Sequence, residues 1–335
     1  MKNISLILFA FLSSSTLTNF IKMTYAFSPS SMLCTTHTSN VSSTAASSNG
    51  QADEYDEQQR GLRLGFIGCG TIAAAIVTGL LTQTEVQVSS VIVSRRSESK
   101  STALVEKFGN EKIQISDDNQ FIVDNCDILF LCVLPAQEEQ VLTHLKINEE
   151  KILVSLVSTS KLETLRKNSG LDPDKIYKMI CLPAVAQLEG TPILVPHSTN
   201  DGVKDLLSTL GGGTCIECEN EDIMESMMVP TAMMGPVYGL MRQSRDFLIK
   251  KGVPAKDASQ MVGRQYWAMV KDALMRCEDP DSLDDLIEEQ TPGGLNEQTL
   301  KNLEGVGFLN SYNDAMEAVL QRIKGETDGS MKSTV

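Results

Sequence analysis

Leu62-Arg-Leu-Gly-Phe-Ile-Gly-Cys-Gly-Thr-Ile-Ala73 is the stretch that decides the fold. A short run rich in apolar residues meets Gly68 and Gly70, and a helical pattern follows at once. Gly-x-Gly-x-x-Ala between a strand and a helix is the context in which this glycine pattern binds a dinucleotide. Gly68 permits the tight turn, Gly70 lets a diphosphate approach the backbone, and Ala73 is small enough for the helix to pack on the strand. Phosphates would then face the amides of Thr71 and Ile72, where the partial positive charge of a helix start favours anions.

Outward from this bend, short β-branched runs alternate with helical segments. They are Val88 to Ser94, Ile113 to Ser116, Asp127 to Val133, Lys151 to Val157 and Ile176 to Cys181. Near-continuous apolar strands separated by helices imply a parallel sheet covered on both faces. The expected fold is therefore α/β, a Rossmann doubly wound parallel sheet over residues 61–218. Beyond Cys218 only helical stretches follow, roughly Glu221 to Met228, Ala232 to Lys251, Pro254 to Cys277, Leu283 to Glu289, Glu297 to Leu303 and Gly307 to Lys324. They make an all-α domain over residues 219–325, with a disordered tail at 326–335. Pro254 suits the first turn of the longest helix, and Gly252 would end the one before it.

Composition narrows the function classes. With 41% hydrophobic and 21% charged residues, a chain of 335 can bury about two cores, as a soluble enzyme does. A formal net charge of −14, with no basic run interleaved with aromatics, would repel a phosphate backbone, so nucleic acid is not expected as a partner. The positive start, the apolar stretch Ile4 to Leu12 and the small residues up to Ala26 have the layout of a signal peptide over residues 1–26. That stretch is too short for a bilayer, which needs about twenty residues, so no membrane is expected for the mature form. From Ser28 to Gly50 there is no acid, Lys or Arg, and residues 27–60 read as a disordered, transit-like segment. The pair resembles the bipartite leaders that target proteins to the plastids of algae with secondary plastids; plain secretion, mitochondrial import or a misassigned start codon are the other readings. Seven of the eight cysteines lie beyond Gly50, an odd number, and Cys126, Cys132 and Cys181 sit in apolar runs, so they read as buried free thiols. Cys215-Ile-Glu-Cys218 is a lone CxxC with no second pair, and no metal is expected. His37, His144 and His197 have no partner at useful spacing and are assigned no chemistry.

Cofactor choice is read at the end of the second strand, where an NAD enzyme usually offers a carboxylate to the ribose 2′-OH. Here Ser94 runs into Arg95 and Arg96, and the nearest acid along the chain is Glu98. Two guanidinium groups and a hydroxyl suit a 2′-phosphate, which favours NADPH, with NADH possible. Val133-Leu134-Pro135, at the end of the fourth strand, should border the nicotinamide ring. In the helical part, Met233-Met-Gly235-Pro-Val-Tyr238 and Gln290-Thr-Pro-Gly-Gly-Leu-Asn296 interrupt the pattern. The second is a turn that can hold a carboxylate on backbone N–H groups, or an ordinary capped connection.

These motifs together resemble pyrroline-5-carboxylate reductase, which makes proline from its cyclic imine with NADPH or NADH. The likeness runs from about Leu62 to Lys324, through Phe130-Leu-Cys-Val-Leu-Pro135, Lys178-Met-Ile-Cys-Leu-Pro183, Gly235-Pro-Val-Tyr238, Gly252-Val-Pro254 and Thr291-Pro-Gly-Gly294. It implies that the helical domain interlocks with a second copy, as a homodimer or higher homo-oligomer, and that the substrate pocket lies near that interface. On this reading Thr291, Asn296 and the amides of Gly293, Gly294 and Leu295 would anchor the substrate carboxylate, Tyr238 would bond a polar substrate atom or simply pack, and Met234 and Gly235 would border the pocket. Three motifs depart from the family pattern. Leu182-Pro-Ala184-Val-Ala186 stands for Met-Pro-Asn-Thr-Pro, Met234 for a serine, and Leu295 for a threonine, which makes the pocket bulkier and more apolar. The expected reaction is hydride transfer to a C=N carbon of a small imine bearing a carboxylate. A different imine or carbonyl substrate, or a non-catalytic NADP-binding dimer, are the alternatives.

Overall fold

The computed structural model describes residues 61–83 and 86–330; the leader readings, His37 and the last five residues of the tail lie outside them. Eight strands form one sheet in the order β3-β2-β1-β4-β5-β6-β7-β8. The first three are β1 (Leu62–Ile67), β2 (Val88–Ser94) and β3 (Ile113–Ser116). The others are β4 (Ile128–Leu131), β5 (Ile152–Ser155), β6 (Ile176–Ile180), β7 (Ile193–Val195) and β8 (Ile216–Glu217). β1 pairs in parallel with β2 on one side and β4 on the other, Leu64 lying opposite both Val91 and Ile128. The chain order therefore reverses between β1 and β4, the point at which a crevice opens beyond the strand ends.

Side chains alternate across the sheet and fill two cores. Leu64 and Phe66 of β1 face one side, where Phe66 stacks on Phe130 of β4 with ring centroids 4.6 Å apart. On that side lie α1 (Thr71–Thr82), α2 (Glu98–Phe108) and α6 (Asp201–Thr209). Ile67 faces the other side, covered by α3 (Asn119–Asn125), α4 (Glu138–Thr143) and α5 (Leu162–Ser169). At the foot of the sheet, Asp127 accepts from the Arg63 amide at 3.0 Å and from its guanidinium at 2.5 Å, which ties the start of β1 to the start of β4.

The six expected strands pair in parallel, and the sheet adds a short strand, β7, that runs antiparallel to β6. A parallel return needs a long crossover, usually a helix. The connection between β6 and β7 holds only a 3-10 turn, Pro183–Gln187, so the chain comes back in the opposite sense. This turn packs on α1, and glycine makes the approach possible. A Cβ at Gly79 would stand 2.2 Å from the carbonyl oxygen of Val185.

After β8 the chain is helical. α7 (Glu221–Ala232) continues past the expected Met228 and carries Pro230 inside its last turn, so it ends within three residues. α8 (Met234–Lys250), α9 (Ala255–Met275), α10 (Ser282–Glu288), α11 (Leu295–Gly305) and α12 (Phe308–Ile323) follow. Among the described residues no helix is long and apolar enough to cross a membrane.

Gly79→Ala tests the seat of the 183–187 turn. The added methyl group must displace backbone, and we expect a loss of about 1–3 kcal/mol in a urea titration with unchanged slope. A loss below about 0.5 kcal/mol would show that the turn yields freely.

Candidate functional site

β1 leaves the sheet at Gly68, whose φ is +98°, and an added Cβ there would lie 2.5 Å from the carbonyl oxygen of Cys132. Only glycine fits between the end of β1 and the end of β4. The Gly68 amide donates to Oγ of Ser94 at 2.8 Å, so the buried last residue of β2 fixes the bend. Gly70 differs. It caps α1 with extended backbone, and a Cβ there would meet nothing within 4 Å. Packing of the chain on itself leaves that position free, and no side chain caps the helix or puts an acid in its first turn. Open space over bare N–H groups at a helix start fits a diphosphate, with Thr71 and Ile72 supplying the first amides.

A groove of about 420 Å³ continues from this bend along the ends of β2 and β3. Of the residues expected at a nucleotide, Gly68, Ser94, Arg95, Arg96 and Val133 line it. Leu134 and Pro135 stand at the same end of the sheet, Leu134 exposed and Pro135 opening a 3-10 turn to Gln137. Asp117 lines the groove too, and the chain read linearly does not point to it. Its carboxylate accepts a hydrogen bond from Arg95 Nε–H at 2.7 Å. The signal was in the register, since Ser94 pairs with Ser116 and the residues that follow each come side by side.

Three free thiols, Cys69, Cys132 and Cys181, sit just beyond the ends of β1, β4 and β6. Burial pushes Cys69 up to about 11 and Cys181 to about 12, and raises Cys132 as well, so none is a nucleophile at neutral pH. Cys181 and Cys126 are buried as expected, whereas Cys132 is only partly so.

The helical part brings together one set of expected residues and leaves another apart. Met234 and Tyr238, at the start of α8, line an apolar hollow of about 380 Å³ with Leu182, Met233, Val237 and Tyr312. Gly235 lies in the same turn. Thr291, Gly293, Gly294, Leu295 and Asn296 do not line it; they form the turn into α11. In that turn the Gly293 amide donates to the Glu297 carboxylate at 2.5 Å, and Asn296 Nδ2 donates to Gln290 at 2.5 Å. A carboxylate of the chain itself thus occupies one of the donors expected to hold a substrate carboxylate.

Buried charge joins the sheet to the helical part. Lys178, in the middle of β6 and 2% exposed, pairs with Glu221 of α7 at 2.7 Å. The same Glu221 oxygen accepts from the Leu162 amide at 3.1 Å, and Lys161 pairs with Glu225. Such pairs fix geometry more than they add stability. Glu138, the first residue of α4, is buried as well and accepts from Ser160. Burial raises its carboxyl above the usual range against the opposing pull of Ser160 and Lys178.

Comparison with known proteins places this architecture. The family described as "NADP oxidoreductase coenzyme F420-dependent" matches residues 63–159, the nucleotide half of the sheet. Pyrroline-5-carboxylate reductase of Escherichia coli is 26% identical over 272 residues, covering 78% of this chain and 96% of its own length. Pyrroline-5-carboxylate reductase 3 of Xenopus laevis is 29% identical over 268 residues, covering 78% of this chain and 94% of its own. The chain is thus similar to pyrroline-5-carboxylate reductases over 78% of its length. The crystal structure of the Plasmodium falciparum pyrroline carboxylate reductase, with NADP bound, shares the fold with a TM-score of 0.64 at 21% identity, over 80% of this chain and 98% of that one. The family likeness thus spans both the glycine bend and the helices after Cys218.

The buried Glu138 gives a pH test. Its raised folded value means that stability is fully present below the unfolded value of about 4.5 and is lost as the pH rises through the folded one. Glu138→Gln keeps the shape and an acceptor for Ser160 but removes the titration. Its melting temperature should gain on the native protein between about pH 4 and pH 7. Parallel pH profiles for the two proteins would contradict the raised value.

Proposed function

We propose that this chain is an NADPH-dependent reductase of a cyclic imine, with pyrroline-5-carboxylate as substrate and proline as product. The glycine bend opening onto an arginine-lined groove carries the proposal, because it offers backbone donors for a diphosphate and guanidinium groups for a 2′-phosphate. Relatives named pyrroline-5-carboxylate reductase, matching over nearly their full length, support the choice of reaction. When bound, the reduced nicotinamide supplies a hydride to the C=N carbon.

The chain's own residues bind and orient. Thr71 and Ile72 hold the diphosphate on their amides, and Ser94 and Arg96 take the adenosine ribose end, where NADH is also accepted. Val133, Leu134 and Pro135 wall the ring site against water. Met234, Gly235 and Tyr238 face the carbon skeleton of the substrate, and the turn from Thr291 to Asn296 faces its carboxylate. A protonated imine is already electrophilic, so no strong acid is required of the chain. The hollow at Met234 is lined by Leu182, Met233 and Val237, which also supports a second reading, a more apolar imine on the same machinery.

We further propose a homodimer. Helices α8, α11 and α12 bury none of their residues, and Trp267, Leu274, Met275 and Val306 are all more than 60% exposed. An apolar surface of that kind marks an interface.

The decisive assay is NADPH oxidation by the purified protein with pyrroline-5-carboxylate, beside a cyclic imine lacking the carboxylate. Faster oxidation with the first supports the proposal; oxidation only with the second supports the apolar reading, and none with either rejects imine reduction. Sedimentation should give the mass of two or more chains, and a monomer at micromolar concentration would refute the dimer.

A further inference from the structure

We infer that Asp117 is a specificity-determining residue that restrains the preference for NADPH over NADH, an inference that rests on the reading of the 420 Å³ groove as the nucleotide site. NADPH and NADH differ only in the 2′-phosphate, so discrimination comes from the charges at the end of the groove that receives it. Four charged side chains line that mouth: Arg95 and Arg96, Asp117 and Glu98. Their formal charges cancel. The arginine pair alone would make a strong anion site; the structure makes a neutral one.

Asp117 is placed there by the sheet. Ser116 pairs with Ser94, and the Arg95 amide donates to the Ser116 carbonyl at 3.0 Å, so Asp117 follows on directly beside Arg95. Its turn is pinned on the other side, where Ser116 Oγ accepts from the Asp118 amide at 3.1 Å and Asp118 accepts from the Gln120 amide at 2.8 Å as the cap of α3. The Arg95 guanidinium is engaged through Nε at 2.7 Å, while Arg96 makes no ion pair among the described residues. A phosphate arriving at the mouth thus meets one unpaired guanidinium, Arg96. It meets a second already shared with a carboxylate, and the like charge of that carboxylate. For NADH the same carboxylate is an acceptor for the ribose 2′-OH, the service an acid at the end of the second strand performs in NAD enzymes. Here the acid arrives from the third strand instead.

Calorimetric titration of NADPH and NADH into the full chain tests this. Asp117→Asn keeps an oxygen for Arg95 Nε and removes the charge. NADPH should bind on the order of fivefold tighter and NADH should stay within about twofold, with a larger gain at low salt because the pair is exposed. In the native chain Arg96→Ala should cost more NADPH affinity than Arg95→Ala; in the Asp117→Asn background the two costs should converge. An unchanged or lower NADPH-to-NADH ratio in Asp117→Asn, with both nucleotides still bound, overturns the inference alone. A native chain that binds neither nucleotide overturns the nucleotide site itself, and the inference with it. Asp117 has 72% of its side chain exposed, so the variant should fold, and its melting temperature checks that. If it does not fold, the Arg95→Ala and Arg96→Ala comparison decides: equal costs in the native chain overturn the inference.

Discussion

Everything in the nucleotide half follows from one close contact, the passage of Gly68 so near the Cys132 carbonyl that an added Cβ would stand 2.5 Å from its oxygen. It forces a backbone conformation that L side chains avoid and turns the chain out of β1. It also seats the end of β1 against the end of β4, where the strand order reverses. The Ser94 hydroxyl holds the same bend from the other flank, so three strands converge on one residue. Gly70 is then free to serve a ligand, because rigidity is already supplied next door. A side chain at position 68 would break the fold's crevice, whereas one at position 70 would block only what enters it.

The parts legible in the sequence were those governed by local pattern. β1, β2 and β3 begin and end where the expected apolar-rich runs do. The helices after Cys218 followed equally well, though Pro230 sits inside α7, where the sequence suggested that the helix had already ended. β7 and β8 were not legible as strands. They have three and two residues, and only their neighbours make them part of a sheet. Gly79 and Asp117 were missed for the same reason. Gly79 matters because of a carbonyl at Val185, and Asp117 because of a guanidinium 22 residues away along the chain. A sequence shows which residues are glycine or aspartate; only the register shows what stands opposite them.

The buried charges show how the two parts are joined. Lys178 occupies a position in β6 where an apolar side chain would serve the core, and its ammonium would be costly there without Glu221. Glu221 in turn begins α7, the first helix beyond the sheet, and its oxygen also takes the Leu162 amide at the start of α5. A pair of this sort does little for net stability, but it has only one satisfied arrangement. It therefore fixes the direction in which the helical part leaves the sheet. That direction sets where Met234 and Tyr238 stand relative to Leu182.

The substrate side is organised differently from the nucleotide side, and the difference has a physical cause. A diphosphate is held by backbone amides and fixed charges, which a single strand-helix turn can present complete. A small imine must be enclosed, and enclosure takes surfaces from several elements. In one chain, the hollow at Met234 lies open along α8 and the turn at Gly293 satisfies itself with Glu297. Large apolar side chains of the helices beyond α7 are exposed as well, among them Trp267, Leu274 and Met275. A carboxylate already resting on the Gly293 amide shows that this turn accepts one, and Glu297 is held there by Lys301 as well as by the backbone. In the proposed dimer a second copy covering these helices would exclude water, and the N–H donors of the turn would then bind an anion far more strongly than they do in one open chain.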